Sequence, residues 1–65
     1  MDAKEYRSII SNAIEREIEA YTFYRMIREK VRDESLKSLF NELAGEESKH
    51  RKTLEALLLR EPAKL

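Results

Sequence analysis

The sequence predicts an all-α chain: an antiparallel two-helix hairpin that dimerises into a four-helix bundle. Three observations carry this expectation. There is one Gly and one Pro in 65 residues, so the chain has almost no punctuation and is built from helix formers. Residues suited to a packed face recur at alternating spacings of four and three through two long stretches, as on bundle helices lying side by side. Between the stretches lies a single break with helix-start chemistry, Arg32-Asp33-Glu34-Ser35.

The first helix is expected over about residues 3–31, where Tyr6, Ile10, Ala13, Glu17, Ala20, Tyr24, Ile27 and Val31 form the stripe. At the break, the Asp33 carboxylate is placed to cap a second helix and Glu34 suits its first turn. That second helix is expected over about residues 34–60, with Leu36, Phe40, Leu43, Glu47, His50, Leu54 and Leu57 on its stripe. Pro62 is expected to end it, because proline supplies no amide and crowds the preceding turn. The last four residues read as a frayed tail. Each helix would be roughly 40 Å long at about 1.5 Å per residue, and helices of that length need packing along their whole extent.

Composition bears on the partners. With 42% hydrophobic and 40% charged residues, so short a chain has little material for a private core, and a homodimer or a multiple of dimers is expected. Thirteen basic and thirteen acidic residues cancel and are interspersed, so no basic face is offered to nucleic acid or to a membrane. The absence of Cys excludes disulfides, iron–sulfur centres and thiol nucleophiles, and fits a reducing compartment. Residues 1–13 carry Asp2, Lys4, Glu5 and Arg7 and no apolar run, so they read as neither signal peptide nor anchor. The expected location is cytoplasmic.

Folding the helices antiparallel about the break aligns residues whose numbers sum to about 67, a register that follows from the position of the turn. Val31 then meets Leu36, Ile27 meets Phe40, Ala13 meets Leu54 and Ile10 meets Leu57. The same register sets Glu17 level with His50, and small Ala20 level with Glu47. The only ionisable groups with metal-ligand chemistry on either stripe therefore fall at one height. A carboxylate or imidazole in an apolar interior loses hydration worth several kcal/mol unless it is paired, neutralised or bound to metal. Glu47 and His50, spaced i, i+3, face the same centre. One Glu from one helix and a Glu-x-x-His from the next is half the ligand set of a di-metal carboxylate bundle, and a two-fold dimer would complete it.

The segments Ala13-Ile14-Glu15-Arg16-Glu17-Ile18-Glu19-Ala20-Tyr21-Thr22-Phe23-Tyr24 and Leu39-Phe40-Asn41-Glu42-Leu43-Ala44-Gly45-Glu46-Glu47-Ser48-Lys49-His50 resemble the rubrerythrin branch of the ferritin-like di-iron proteins. The resemblance implies that residues 1–65 form one ferritin-like half-domain. It implies Glu17 as the first-helix ligand, Glu47 as the bridging carboxylate, His50 as the terminal imidazole, and Tyr24 as a tyrosine that hydrogen-bonds to a ligand carboxylate. The implied cofactor is a pair of Fe ions, with Mn or Zn as substitutes, and the implied activity is oxidation of Fe(II) or reduction of peroxide or O2, fed by an external electron donor. Family domains hold two such hairpins and this sequence holds one, so either a second copy supplies the other half or the sequence is a piece of a longer chain. Rubrerythrins add a cysteine-ligated electron-transfer module, whereas these 65 residues hold no Cys, and Ala20 stands where the family's second hairpin carries a further glutamate. Two-helix ferritin-like proteins that build their site between subunits are the nearer architectural analogue.

The plainer readings are ordinary helix-surface chemistry. A lone helical His is usually a surface group, and Glu47 has Arg51 at i+4 for an exposed ion pair worth a few tenths of a kcal/mol. Glu15, Glu19, Glu42 and Glu46 lie off the stripes and read as solvated; Tyr6, Tyr21, Phe23 and Phe40 read as packing. Gly45 costs about 1 kcal/mol relative to Ala inside a helix, which close helix approach would explain. The competing function is a dimerisation or structural hairpin with a non-catalytic metal site or none.

Overall fold

In the computed structural model, which describes residues 1–60, two α-helices run antiparallel: α1 (Ala3–Lys30) and α2 (Glu34–Leu59). No strand is present among the described residues. Both helices end one residue earlier than expected. Val31 is the C-cap of α1, in extended conformation, and its amide donates to the Ile27 carbonyl at 3.1 Å. A β-branched residue beside the turn takes extended backbone readily. Arg60 caps α2 in the same way, donating to the Leu57 carbonyl at 3.1 Å. The expectations for Pro62 and the tail fall outside the described residues.

Asp33 caps α2 as its position predicts: its Oδ1 accepts from the Leu36 amide at 3.0 Å, satisfying one of the unpaired donors of the first turn. Asp2 does the same for α1, accepting from the Glu5 amide at 2.7 Å. The sequence signal for this cap is an Asp directly ahead of Ala-Lys-Glu, which stripe periodicity does not register.

The helices touch along their length. At the open end the Tyr6 hydroxyl donates to the Leu57 carbonyl at 2.9 Å. Midway Glu17 meets His50. Towards the turn the rings of Tyr24 and Phe40 lie 6.2 Å apart, tilted by 33°. The Glu17–His50 pair falls on the expected register. Tyr24, which a sum of 67 sets level with Leu43, packs instead on Phe40, and Tyr6 reaches Leu57. These numbers sum to 64 and 63, and the helix ends Lys30 and Glu34 also sum to 64, so the backbones sit about three residues from the expected register.

The described molecule is a rod of 49 × 13 × 13 Å with a radius of gyration of 15.2 Å, against roughly 11 Å for a compact domain of this length. Only Ile10 and Ala44 are buried among the described residues. The flank on which the hairpin closes, Ile14 and Tyr21 of α1 with Ala44, Arg51 and Leu58 of α2, is buried or half-buried. Across the stripe the other flank, Ile9 and Phe23 of α1 with Leu39 of α2, is exposed; Phe23 is 55% accessible. Leu36, a stripe residue, is also exposed. Phe23 therefore lies outside the contact between the two helices. Gly45 needs no close approach: a methyl group there would meet nothing within 4 Å.

Candidate metal centre

Halfway along the rod the stripe ceases to be apolar. Glu17 is held by the middle of α1, and Glu47 and His50 by successive turns of one face of α2, so regular helix geometry alone brings three donors to one level. One oxygen of each carboxylate and one ring nitrogen of His50 lie within 4.8 Å of one another. His50 Nδ1 is 3.3 Å from Glu17 Oε2 and 3.5 Å from Glu47 Oε2. Both carboxylates are half-buried, while the imidazole is exposed.

Charge in the trio is not balanced. The neighbouring Glu17 carboxylate, through a side-chain hydrogen bond, holds the Glu47 carboxyl above its ordinary value, and loss of hydration and charge repulsion add to the shift; His50 only partly offsets it. Partial desolvation pulls the His50 imidazolium down, but Glu17 and then Glu47 outweigh it, so the net shift is upward. Both shifts raise the trio's affinity for protons in the absence of a cation. A divalent ion would replace them, and two carboxylates with one imidazole form an oxygen-rich set suited to iron or manganese. The donors present fit such an ion.

The Glu47–Arg51 ion pair is not formed. Arg51 turns instead towards Glu55, with Nε 3.9 Å from Oε2. That separation is beyond hydrogen-bond range, and Arg51 Nε is buried with no hydrogen-bond partner among the described residues. A groove of about 140 Å³ opens beside the trio, lined by Glu17, Ile18, Tyr21, Glu47, Ser48 and Arg51. Sequence reasoning did not find it, because it depends on the rotation of one helix against the other. The Tyr21 hydroxyl at its edge accepts from Arg25 Nη1 at 3.0 Å. The half-buried Tyr24 packs against Phe40 and also lies 5.8 Å from the Phe23 ring, centroid to centroid. It makes no hydrogen bond to the trio among the described residues.

A family model described as Rubrerythrin matches residues 8–62 of the 65-residue chain. The chain belongs to the rubrerythrin family. No curated protein and no solved structure gives a significant match. The matched span of the chain holds Glu17, Glu47, His50 and Tyr24. No helix among the described residues is long and apolar enough to cross a membrane.

Proposed function

We propose that this protein binds two iron ions at a site shared between two copies of the chain and acts as an oxidoreductase, oxidising Fe(II) or reducing peroxide or O2. The observation that carries the reading is the convergence of the Glu17, Glu47 and His50 donors within 4.8 Å at the one polar level of both stripes. One hairpin offers two carboxylates and one imidazole; a two-fold dimer offers four and two, the full set of a di-metal carboxylate bundle. The exposed flank of Ile9, Phe23 and Leu39 favours such pairing, since isolated monomers seldom leave a long apolar strip in water.

Glu17 and His50 would each hold one ion and Glu47 would bridge the two. Iron bound there would supply two electrons to peroxide, which takes up two protons and leaves as two waters. The protein's part is to hold the ligands on rigid helices, to release protons from Glu47 and His50 as the ions bind, and to exclude bulk water with the flanking apolar layers. Tyr24, which packs on Phe40 in the single hairpin, would donate to a ligand carboxylate in the loaded dimer, as the family resemblance implies. Reducing equivalents would come from an external donor, and the absence of Cys suits a reducing cytoplasm.

Light scattering combined with metal analysis after anaerobic Fe(II) loading tests the proposal. A dimer or multiple of dimers with about two metals per pair of chains is expected. A folded monomer at micromolar concentration, or a dimer that binds no iron, would end the shared-site reading and favour the structural-hairpin alternative.

A further inference from the structure

We infer that the groove between α1 and α2 is the route by which divalent cations reach Glu17 and Glu47. The inference rests on the reading of the trio as a metal centre, and it concerns how that centre is filled. Glu17 and Glu47 line the groove, whereas His50 does not. An ion arriving this way meets both carboxylates first and the imidazole last.

The groove's position keeps it open. Ile18 and Ser48 each follow a ligand by one residue, and Tyr21 and Arg51 each follow one by four, so all four lie towards the flank on which the hairpin closes on itself. The exposed flank of Ile9, Phe23 and Leu39, which a second copy would cover, is on the other side of the stripe. Pairing of hairpins would shut the imidazole side and leave this one facing solvent.

Its size and lining suit a partly hydrated ion. A volume of about 140 Å³ holds a cation with a few waters, since each water takes about 30 Å³ in the liquid. Ser48 and Tyr21 line the groove with the two carboxylates, so hydroxyl-bearing side chains are present where waters would be exchanged for protein donors. Arg51 is the one cationic side chain in the lining. Its charge opposes an approaching cation and so sets the rate of filling without serving as a ligand.

Co(II) uptake by the whole chain, followed by stopped-flow absorbance, tests the route. Ser48→Phe fills the groove, and Asn41→Phe places the same ring one heptad earlier on the same side of α2, outside it. Ser48→Phe should slow uptake by about tenfold or more while final loading is unchanged, a decade being the low end of how association rates respond to changes at one site. Asn41→Phe should load at the wild-type rate. Arg51→Met should accelerate uptake at low ionic strength, with the gain fading as salt is added. Uptake by Ser48→Phe at the wild-type rate, or equal slowing by Asn41→Phe, overturns the route. If circular dichroism shows that Ser48→Phe does not fold, Arg51→Met decides, and no salt-dependent acceleration overturns it. Wild-type protein that binds no Co(II) at equilibrium sinks the metal-centre reading itself, a result distinct from any of these.

Discussion

Glu17 and His50, thirty-three residues apart in sequence, bring Oε2 and Nδ1 to 3.3 Å across the hairpin. The contact joins the midpoints of the two helices, and Glu47, one turn away on α2, pairs with both groups.

Replacing either α2 member of the trio should separate metal binding from folding. Glu47→Ala removes the carboxylate whose proton affinity Glu17 raises, and with it a like-charge repulsion in a half-buried place. Metal binding and turnover should be lost in Glu47→Ala and His50→Ala, while the metal-free Glu47→Ala protein melts at or above the wild-type temperature. Each ~1 kcal/mol counts for about 4–8 °C in so small a domain. With Fe(II) under anaerobic conditions the order reverses, because only the wild type gains binding free energy. Melting curves with chelator and with Fe(II) read both effects; identical curves for all three proteins under both conditions would reduce the trio to ordinary surface groups.

Metal-free protein should lose stability as pH rises. His50 has an ordinary value of 6.5, raised in the folded state. Its contribution is fully present below 6.5 and is lost as pH passes through the raised value. Glu47 is raised from 4.5, so its folded-state penalty is absent below 4.5 and grows as pH climbs through the shifted value. Both groups leave the folded state holding more protons, and stability falls with pH across this window. Denaturant midpoints between about pH 5 and pH 8, with chelator, should decline in wild type, and His50→Ala should flatten the upper half of the curve. Loaded protein should show the opposite slope, since metal competes with these same protons.

Gly45 offers a stabilising change. It is exposed, in the interior of α2, with nothing within 4 Å of where a Cβ would stand. Gly45→Ala should add about 0.8–1.0 kcal/mol from helix propensity alone and leave metal stoichiometry unaltered. Thermal melts of the two proteins check it; a destabilised variant would mean that a surface absent from the hairpin closes over this position.

The trio was legible because period and register are both written in residue spacing. Alternating fours and threes put Glu17, Glu47 and His50 on the stripes, and Asp33 fixed where the chain turns, so their common height followed by arithmetic. What stayed hidden depends on how far each helix is rotated about its own axis. Spacing does not say that Ile14 and Tyr21 close the hairpin while Ile9 and Phe23 are left in water, since both pairs border the stripe. The choice of Glu55 over Glu47 by Arg51 was equally closed to it: both stand four residues away, one on each side, and packing decides between them. Gly45 misled for a related reason. An unfavoured residue in a helix invites a packing explanation, and here the hairpin supplies none.

Between Lys30 and Glu34 only three residues separate the helices, and this brevity makes the turn a spacer of fixed length. Exposed loops ordinarily tolerate insertions well. Here one added residue, if taken up by α2, turns its ligands by about 100° and moves them about 1.5 Å along the axis, carrying Glu47 and His50 away from Glu17. A single Ala inserted after Arg32 is expected to leave circular dichroism helical and to cost metal binding. The identities of Val31 and Arg32 can vary, whereas their number cannot: the centre halfway down the rod is specified by counting from a turn that touches none of it.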